Sequence, residues 1–442
     1  MRNWDDTEFL CEAIKSGNVA EVKRLAAAGM DLEETVLQQY ECTPLHWAMT
    51  CDQITIVHTL LECGAKPDEE DYEGCTPTEI AVRGRHYEAL QLLLAFGEPS
   101  VREARSIHAL HEAVKHEDSS LILHLLDAGV DIDAPDKDGY SPLITAIERF
   151  SSAFEFTEDP ERSAVIRLLL ERSADVHHCV ASGHSQGLTA LYCAASRGHT
   201  LWAEWLQNAG AQLTLLIAAM LGDTEAVRAF LAQGEAPNSL DHEGNTALLH
   251  AAERGYTPIV HLLLEKGADP LLPGRWKDDP LCLAAQGGHT EAVRALLQYG
   301  AGKEKPTGVL SAAVLGSHID TVLLLLASGW NVDGITPEDE WISEYLSPLM
   351  NAASSNLLEM IHLLIAHGAN VDLANPYGYT ALMCAAQHGY VAASHALLEA
   401  GADVTLHNTH DLTALGEVLG SENPEMIALL QAAQIKCAPD SA

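Results

Sequence analysis

The chain repeats itself every 33 residues, and that period decides most of what it can fold into. Thr43-Pro44-Leu45-His46 is followed 33 residues later by Thr76-Pro77. Ser347-Pro348-Leu349, Thr380-Ala381-Leu382 and Thr413-Ala414-Leu415 keep the same step. At the other end of the unit, Gly64 and Gly97, Gly267 and Gly300, and Gly368 and Gly401 stand equally far apart. A fixed period of this length marks an array of small stacked supersecondary units.

One unit can be read from Thr380 to Asp403. Thr380 is an N-cap whose hydroxyl accepts from the orphan amides of a first helical turn. Several units place Pro next (Pro44, Pro77, Pro142, Pro348), at the N1 position where the missing N–H costs nothing. Leu382-Met383-Cys384-Ala385-Ala386 predicts a short inner helix with small residues where a neighbour approaches closely, and Gly389 ends it. Val391 to Leu398 predicts a second helix with apolar residues at helical spacing, closed by Gly401 as a left-handed cap. Such a pair cannot bury its own apolar face and needs a neighbour on each side.

This pattern resembles the ankyrin repeat. The TPLH signature stands complete at Thr43–His46, and the G-A-D turn at Gly267-Ala268-Asp269 and Gly401-Ala402-Asp403. Thirteen units are counted, with inner helices starting near 7, 43, 76, 108, 141, 189, 213, 246, 279, 308, 347, 380 and 413. The resemblance implies an all-α helical solenoid with short β-hairpin fingers, curved through the whole chain. It implies one array over residues 1–436 with atypical caps at both ends, followed by a polar tail at 437–442. It also implies that TPLH histidines (His46, His111, His250) bridge backbone groups of adjacent units. His199 and His289, each after a mid-unit glycine, are structural by the same resemblance.

Charge narrows the choice of partners. There are 63 Asp+Glu against 25 Lys+Arg, a net charge of −38, so phosphate backbones and anionic lipid are repelled and neither nucleic acid nor membrane is expected. A basic or amphipathic protein partner is expected instead. Hydrophobic residues make up 47%, too many for a disordered acidic chain, while aromatics are only 5%, so Ala, Leu, Ile and Val must build the core. The ten cysteines are scattered without a CxxC, and the N-terminus lacks the apolar stretch of a signal peptide. These features point to a monomer with reduced thiols in the cytoplasm or nucleus.

Departures from the repeat locate a candidate site. In regular units 14 residues separate the terminal Gly from the inner-helix Leu, as from Gly267 to Leu281 and from Gly368 to Leu382. From Gly210 to Leu215 there are 5 and from Gly300 to Val309 there are 9, so the fingers before the seventh and tenth units are missing or truncated. Insertions lengthen the chain around 149–160, 177–184 and 336–342. The resemblance implies that the last two residues of each inner helix face the concave groove. Most units place polar pairs there, such as Gln387-His388 and Glu253-Arg254, but the seventh and tenth place Met220-Leu221 and Val314-Leu315. Gln286 lies between them in the array, Trp276 is on a nearby finger, and Trp341 is in the long segment after Gly329. These seven residues are the expected binding surface.

Catalytic chemistry finds no foothold in the pattern. GxxxxGK[ST] and HExxH are both missing from the sequence, and His111 and His116, five apart, face different sides of a helix. His177, His178, Cys179 and His184 lack regular metal spacing, so neither metal nor cofactor is expected. The fingertip carboxylates (Asp131, Asp133, Asp136 and Asp138 in one; Glu69, Glu70, Asp71 and Glu73 in another) are expected as solvated charge that steers basic partners. The expected function is a protein-interaction scaffold. The alternative is an enzyme or small-molecule binder with an apolar pocket at the finger-poor centre, units seven to ten.

Overall fold

The computed structural model describes residues 4–33, 42–148, 159–181, 186–275, 279–303, 307–335, 346–419 and 423–437. Among these, 26 helices follow one another in 13 pairs, matching the count of units read from the period. They divide into two compact bodies, Met1–Leu213 and Thr214–Ala442.

The first body begins with α1 (Trp4–Lys15), α2 (Val19–Ala27), α3 (Pro44–Thr50), α4 (Ile54–Glu62), α5 (Pro77–Arg83) and α6 (Tyr87–Ala95). It continues with α7 (Pro99–Lys115), α8 (Ser119–Asp127), α9 (Pro142–Glu148), α10 (Pro160–Glu171), α11 (Ala190–Ser196) and α12 (Thr200–Asn208). The second body opens with α13 (Leu215–Leu221), α14 (Thr224–Ala232), α15 (Ala247–Glu253), α16 (Thr257–Glu265), α17 (Pro280–Gln286), α18 (Thr290–Gln298) and α19 (Thr307–Leu315). It closes with α20 (Ile319–Ala327), α21 (Pro348–Ser354), α22 (Leu358–Ala366), α23 (Ala381–Gln387), α24 (Val391–Glu399), α25 (Ala414–Val418) and α26 (Pro424–Cys437). Cys437, expected in a polar tail, belongs to α26. Within each body inner helices stack on inner helices and outer on outer, burying Ala and Leu from both sides.

Each turn within a pair requires a left-handed residue, and the chain does not always supply Gly. Gly255, Gly288 and Gly389 have φ of 70–75°, but Asp52, Arg85, Glu117 and Ser317 hold the same place at φ 52–60°. The expected caps are present: Thr380 Oγ1 accepts from Met383 N, and Gly401 has φ 94°. Fingers carry their own instruction. Asp71 Oδ1 accepts from Glu73 N at 3.0 Å and Cys75 N at 2.8 Å, while Gly74 turns the tip at φ 75°. Asp136, Asp241, Asn375 and Asn408 repeat this arrangement. Of the expected fingertip carboxylates, Asp71 and Asp136 therefore have a structural role: their side chains cap the fingertip backbone.

The fourth unit departs from expectation. Its inner helix begins at Pro99, not near 108, so helix replaces the finger. Spacing alone could not reveal this, because Gly97 to Leu110 is 13 residues, nearly the regular 14. The segment lacks the Asx-x-x-Gly tip and has Pro at the first helical turn. Arg105, 3% exposed, anchors the extra turns. Its guanidinium forks onto Asp68 at 2.7 and 2.8 Å and donates to the carbonyls of Leu93 and Phe96, where α6 ends.

The histidines behave as expected, with one exception. His46 Nε2 donates to Cys75 O at 2.9 Å and its Nδ1 pairs with Thr43 Oγ1. His111 bridges to Ala134 O and Thr145 Oγ1 in the next unit. His250 instead meets Asp241 Oδ2 at 2.8 Å in its own finger, because that carboxylate keeps Oδ1 for the fingertip amides and turns Oδ2 inward. Nine described cysteines form no disulfide; burial pushes the Cys42 thiol up to about 11 and holds Cys193 well above its ordinary value.

Candidate interaction surface

The expected site lies within the second body, on the ends of α13, α15, α17 and α19, which stack in that order. In regular repeats nine residues run from the N-cap to the left-handed residue, as from Thr246 to Gly255, Asp279 to Gly288 and Thr380 to Gly389. From Thr214 to Gly222 there are eight: α13 keeps its seven residues, and the turn after it has lost the one that separates helix end from left-handed residue in α15. Counted from the caps, Leu221 therefore matches Glu253, Gln286 and Gln387. Counted back from the left-handed Ser317, Leu315 matches the same three.

This register corrects two of the expected residues. Met220 and Val314 are fully buried, at the inward position that Ala252, Ala285 and Ala386 hold in other repeats. One residue along a helix is a rotation of ~100°, enough to carry a side chain from the exposed edge into the core. Both leave the surface. Leu315 remains 39% exposed, Leu221 is half-buried and Gln286 is exposed. Trp276 and Trp341 fall outside the described residues.

A ladder of hydrogen bonds holds these helix ends in place. Arg254 Nη1 donates to Met220 O at 3.0 Å, His289 Nε2 to Glu253 O at 2.9 Å, and His318 Nε2 to Gln286 O at 2.9 Å. Each bond runs from one repeat to the terminal carbonyls of the preceding inner helix, which would otherwise lack partners. The edge thus presents Leu221, Glu253, Gln286 and Leu315 in succession. At 8–10 Å per helix contact, the two leucines stand roughly 24–30 Å apart and do not form one patch. The fingers leading into α15 and α17 add Leu240 (56% exposed) and Leu271 (55%), which the period gave no reason to single out.

A cavity of about 570 Å³ in this body is open to solvent and lies by outer helices, against Leu323, Leu326, Trp330 and His367 of α20, α22 and their following turns. Among the described residues, no carboxylate lines it. In the first body, one cluster has the composition of a metal-binding set: Glu79, His108 and Glu112. His178, considered above as a ligand, instead bonds Gly139 O at 3.0 Å.

Ankyrin-repeat models match residues 10–103, 110–215, 204–273 and 309–408, and a single-repeat model matches 277–306. The chain belongs to the ankyrin-repeat family. It is similar to the B-cell lymphoma 3 protein homolog of Mus musculus, 32% identical over 45% of this chain and 43% of the relative. It is also similar to the Homo sapiens B-cell lymphoma 3 protein, 36% identical over 31% of this chain and 32% of the relative. The NF-kappa-B p105 subunit of Gallus gallus is 32% identical over 38% of this chain and 16% of that protein. The chain therefore spans less than half the length of these relatives. Among solved structures, the human ASB11 ankyrin repeat domain aligns with a TM-score of 0.45 at 25% identity, covering 50% of this chain and 98% of that one. The described residues contain no helix long and apolar enough to cross a membrane.

Proposed function

We propose that the protein is an interaction scaffold whose inner-helix edge in the second body takes up an extended protein segment of basic or amphipathic character. The observation that carries this reading is the substitution of Leu at one edge position, twice, where α15, α17 and α23 place Glu253, Gln286 and Gln387. An array of this kind needs no apolar group there for stability, and each leucine forgoes part of the ~1.5–3 kcal/mol that full burial would give. At ~3.3 Å per residue, an extended segment reaching from Leu221 to Leu315 carries its two apolar anchors about seven to nine residues apart. Glu253 between them, in a chain of charge −38, favours Lys or Arg in the intervening stretch. Gln286 supplies an amide for the segment's backbone, and Trp276 and Trp341 are proposed as flanking anchors on sequence grounds. Two of the relatives are by name parts of larger assemblies, an NF-kappa-B subunit and a 26S proteasome regulatory subunit, which agrees with a scaffold reading. We place this binding in the cytoplasm or nucleus, with the protein acting as a monomer.

Selection from a displayed peptide library tests the reading. Peptides retained by the full chain should be basic, with two apolar positions seven to nine apart, and should be released by salt over a ~10 Å screening range. The Leu221→Asp, Leu315→Asp double variant should retain its thermal stability and lose these peptides. Acidic or salt-insensitive binders, or equal retention by the double variant, would refute the assignment.

A further inference from the structure

Glu79, His108 and Glu112 lie in the first body and play no part in the surface just described. His108 and Glu112 are four residues apart on α7, so they leave the same face of the helix. Glu79 comes from the first turn of α5, which packs against α7. One ligand atom from each residue lies within 4.8 Å of the other two. His108 Nε2 is 3.5 Å from Glu79 Oε1. That nitrogen is sealed from solvent and makes no hydrogen bond, although 39% of its side chain is exposed. Adjacent ligand atoms of a tetrahedral Zn²⁺ with bonds of ~2.0 Å stand about 3.3 Å apart, close to the separation found.

Both carboxylates are oriented by partners outside the set, Thr76 N for Glu79 and, for Glu112, Lys115 Nζ at Oε1 with His116 Nε2 3.8 Å from Oε2. Glu79 Oε2 accepts from Thr76 N at 2.6 Å in the capping box of α5, leaving Oε1 toward His108. Glu112 Oε1 accepts from Lys115 Nζ at 2.7 Å. Carboxylates oriented in this way are what first-row metal sites use to fix their ligands. An imidazole nitrogen beside two carboxylates suits Zn²⁺ and its neighbours in the series, and not Mg²⁺ or Ca²⁺, which take oxygen ligands.

We propose that Glu79, His108 and Glu112 bind a divalent transition-metal cation, Zn²⁺ fitting best, with water completing its shell. The ion would clamp α5 to α7 in the repeat where helix has replaced the finger, a place where two neighbouring repeats have lost their usual hairpin contact.

The test uses the full chain, stripped of metal by a chelator and titrated with Co²⁺ while its visible absorption is followed. One Co²⁺ should bind with a ligand-field band, and Zn²⁺ should displace it. His108→Ala should weaken binding about tenfold or more, and so should Glu79→Gln, which keeps the capping box because Gln also accepts from the N-cap amide. His58→Ala removes an ordinary surface pair, His58 Nδ1 to Glu62 Oε1 at 3.5 Å, and should leave the titration unchanged. Circular dichroism confirms that each variant is folded. A titration in which His108→Ala and Glu79→Gln match the parent, or in which His58→Ala alone weakens binding, overturns the proposal, as does failure of the parent to bind Co²⁺.

Discussion

Substituting Gly288 by alanine separates two costs that repeat glycines usually hide together. Gly288 has φ 70°, and an added Cβ would lie 2.3 Å from Nδ1 and 2.4 Å from Cγ of His318 in the next repeat. The methyl group must expel that ring and with it the bond from His318 Nε2 to Gln286 O. Left-handed backbone costs an L-residue ~1–2 kcal/mol, part of which is offset because alanine restricts the unfolded chain. Loss of the hydrogen bond and its packing adds about 1–2 kcal/mol. With a net backbone share of about 1 kcal/mol, the sum is roughly 2–3 kcal/mol. Gly401 supplies the comparison: its φ is 94° with nothing within 4 Å of an added Cβ, so Gly401→Ala should cost only the backbone share, about 1 kcal/mol.

Urea unfolding followed by circular dichroism measures both, together with a double-mutant cycle in a His318→Ala background. There Gly288→Ala should fall to the Gly401→Ala value, since the ring it displaces has gone. A coupling of about 1–2 kcal/mol is expected. Equal costs for the two glycines, or a Gly288→Ala cost unchanged without His318, would refute the claim that the ring occupies the notch glycine leaves.

Stability of the first body should fall with acid. Burial pushes the His46 and His111 imidazoles down, against the opposing carbonyl bonds, so below pH ~6.5 the unfolded chain binds protons that the folded one refuses. Stability is then complete above that pH and declines as pH falls toward the folded values, by up to ~1.4 kcal/mol per unit for each histidine; thermal melts in which the His46→Gln, His111→Gln variant keeps the parent's slope would count against this. Asp279→Thr should raise stability at pH 7 by up to about 1 kcal/mol, because burial raises this N-cap carboxyl above its ordinary range and threonine caps without charge. Since the folded state favours the protonated Asp279, the gain should vanish as pH falls through that raised pKa, and a gain that grows toward acid would contradict it. Arg105→Ala should cost about 2–3 kcal/mol in thermal unfolding, chiefly by leaving two helix-end carbonyls without their donor, since the half-exposed Asp68 rehydrates, and Arg105→Lys should not restore it. A loss under ~1 kcal/mol would show that water replaces the guanidinium.

Much of the fold was legible because a repeat writes the same physical instruction many times. Thr or Ser before Pro, two apolar runs and a terminal glycine each carry a local meaning, and their recurrence at 33 residues leaves little room for another architecture. The helical start of α7 was not legible for the opposite reason. Its length nearly equals that of a finger, and the anchor that decides between them is Arg105 reaching Asp68, 37 positions earlier in the chain. A contact of that range leaves no trace in local spacing. The missing Asx-x-x-Gly tip and Pro99 at the first turn were the available signs.

The surface shows how a binding edge hides within a register. Reading the last two residues before each mid-unit glycine pairs Met220-Leu221 with Glu253-Arg254, yet the chain is one residue short between the cap of α13 and Gly222. Reading Val314-Leu315 against Gln387-His388 makes the same slip by one position, since Gly316 and Ser317 follow Leu315. Caps give the correct frame because they fix where the helix begins, and hence which side chains face the core. In that frame the array's usual small inward residue becomes Met220 and Val314, and the polar edge residue becomes Leu221 and Leu315. Inward volume in these repeats is free to vary with local packing. At the edge, where α15, α17 and α23 place Glu or Gln, the fold buries Leu221 and Leu315 only in part, and on the proposed reading a bound segment covers the rest.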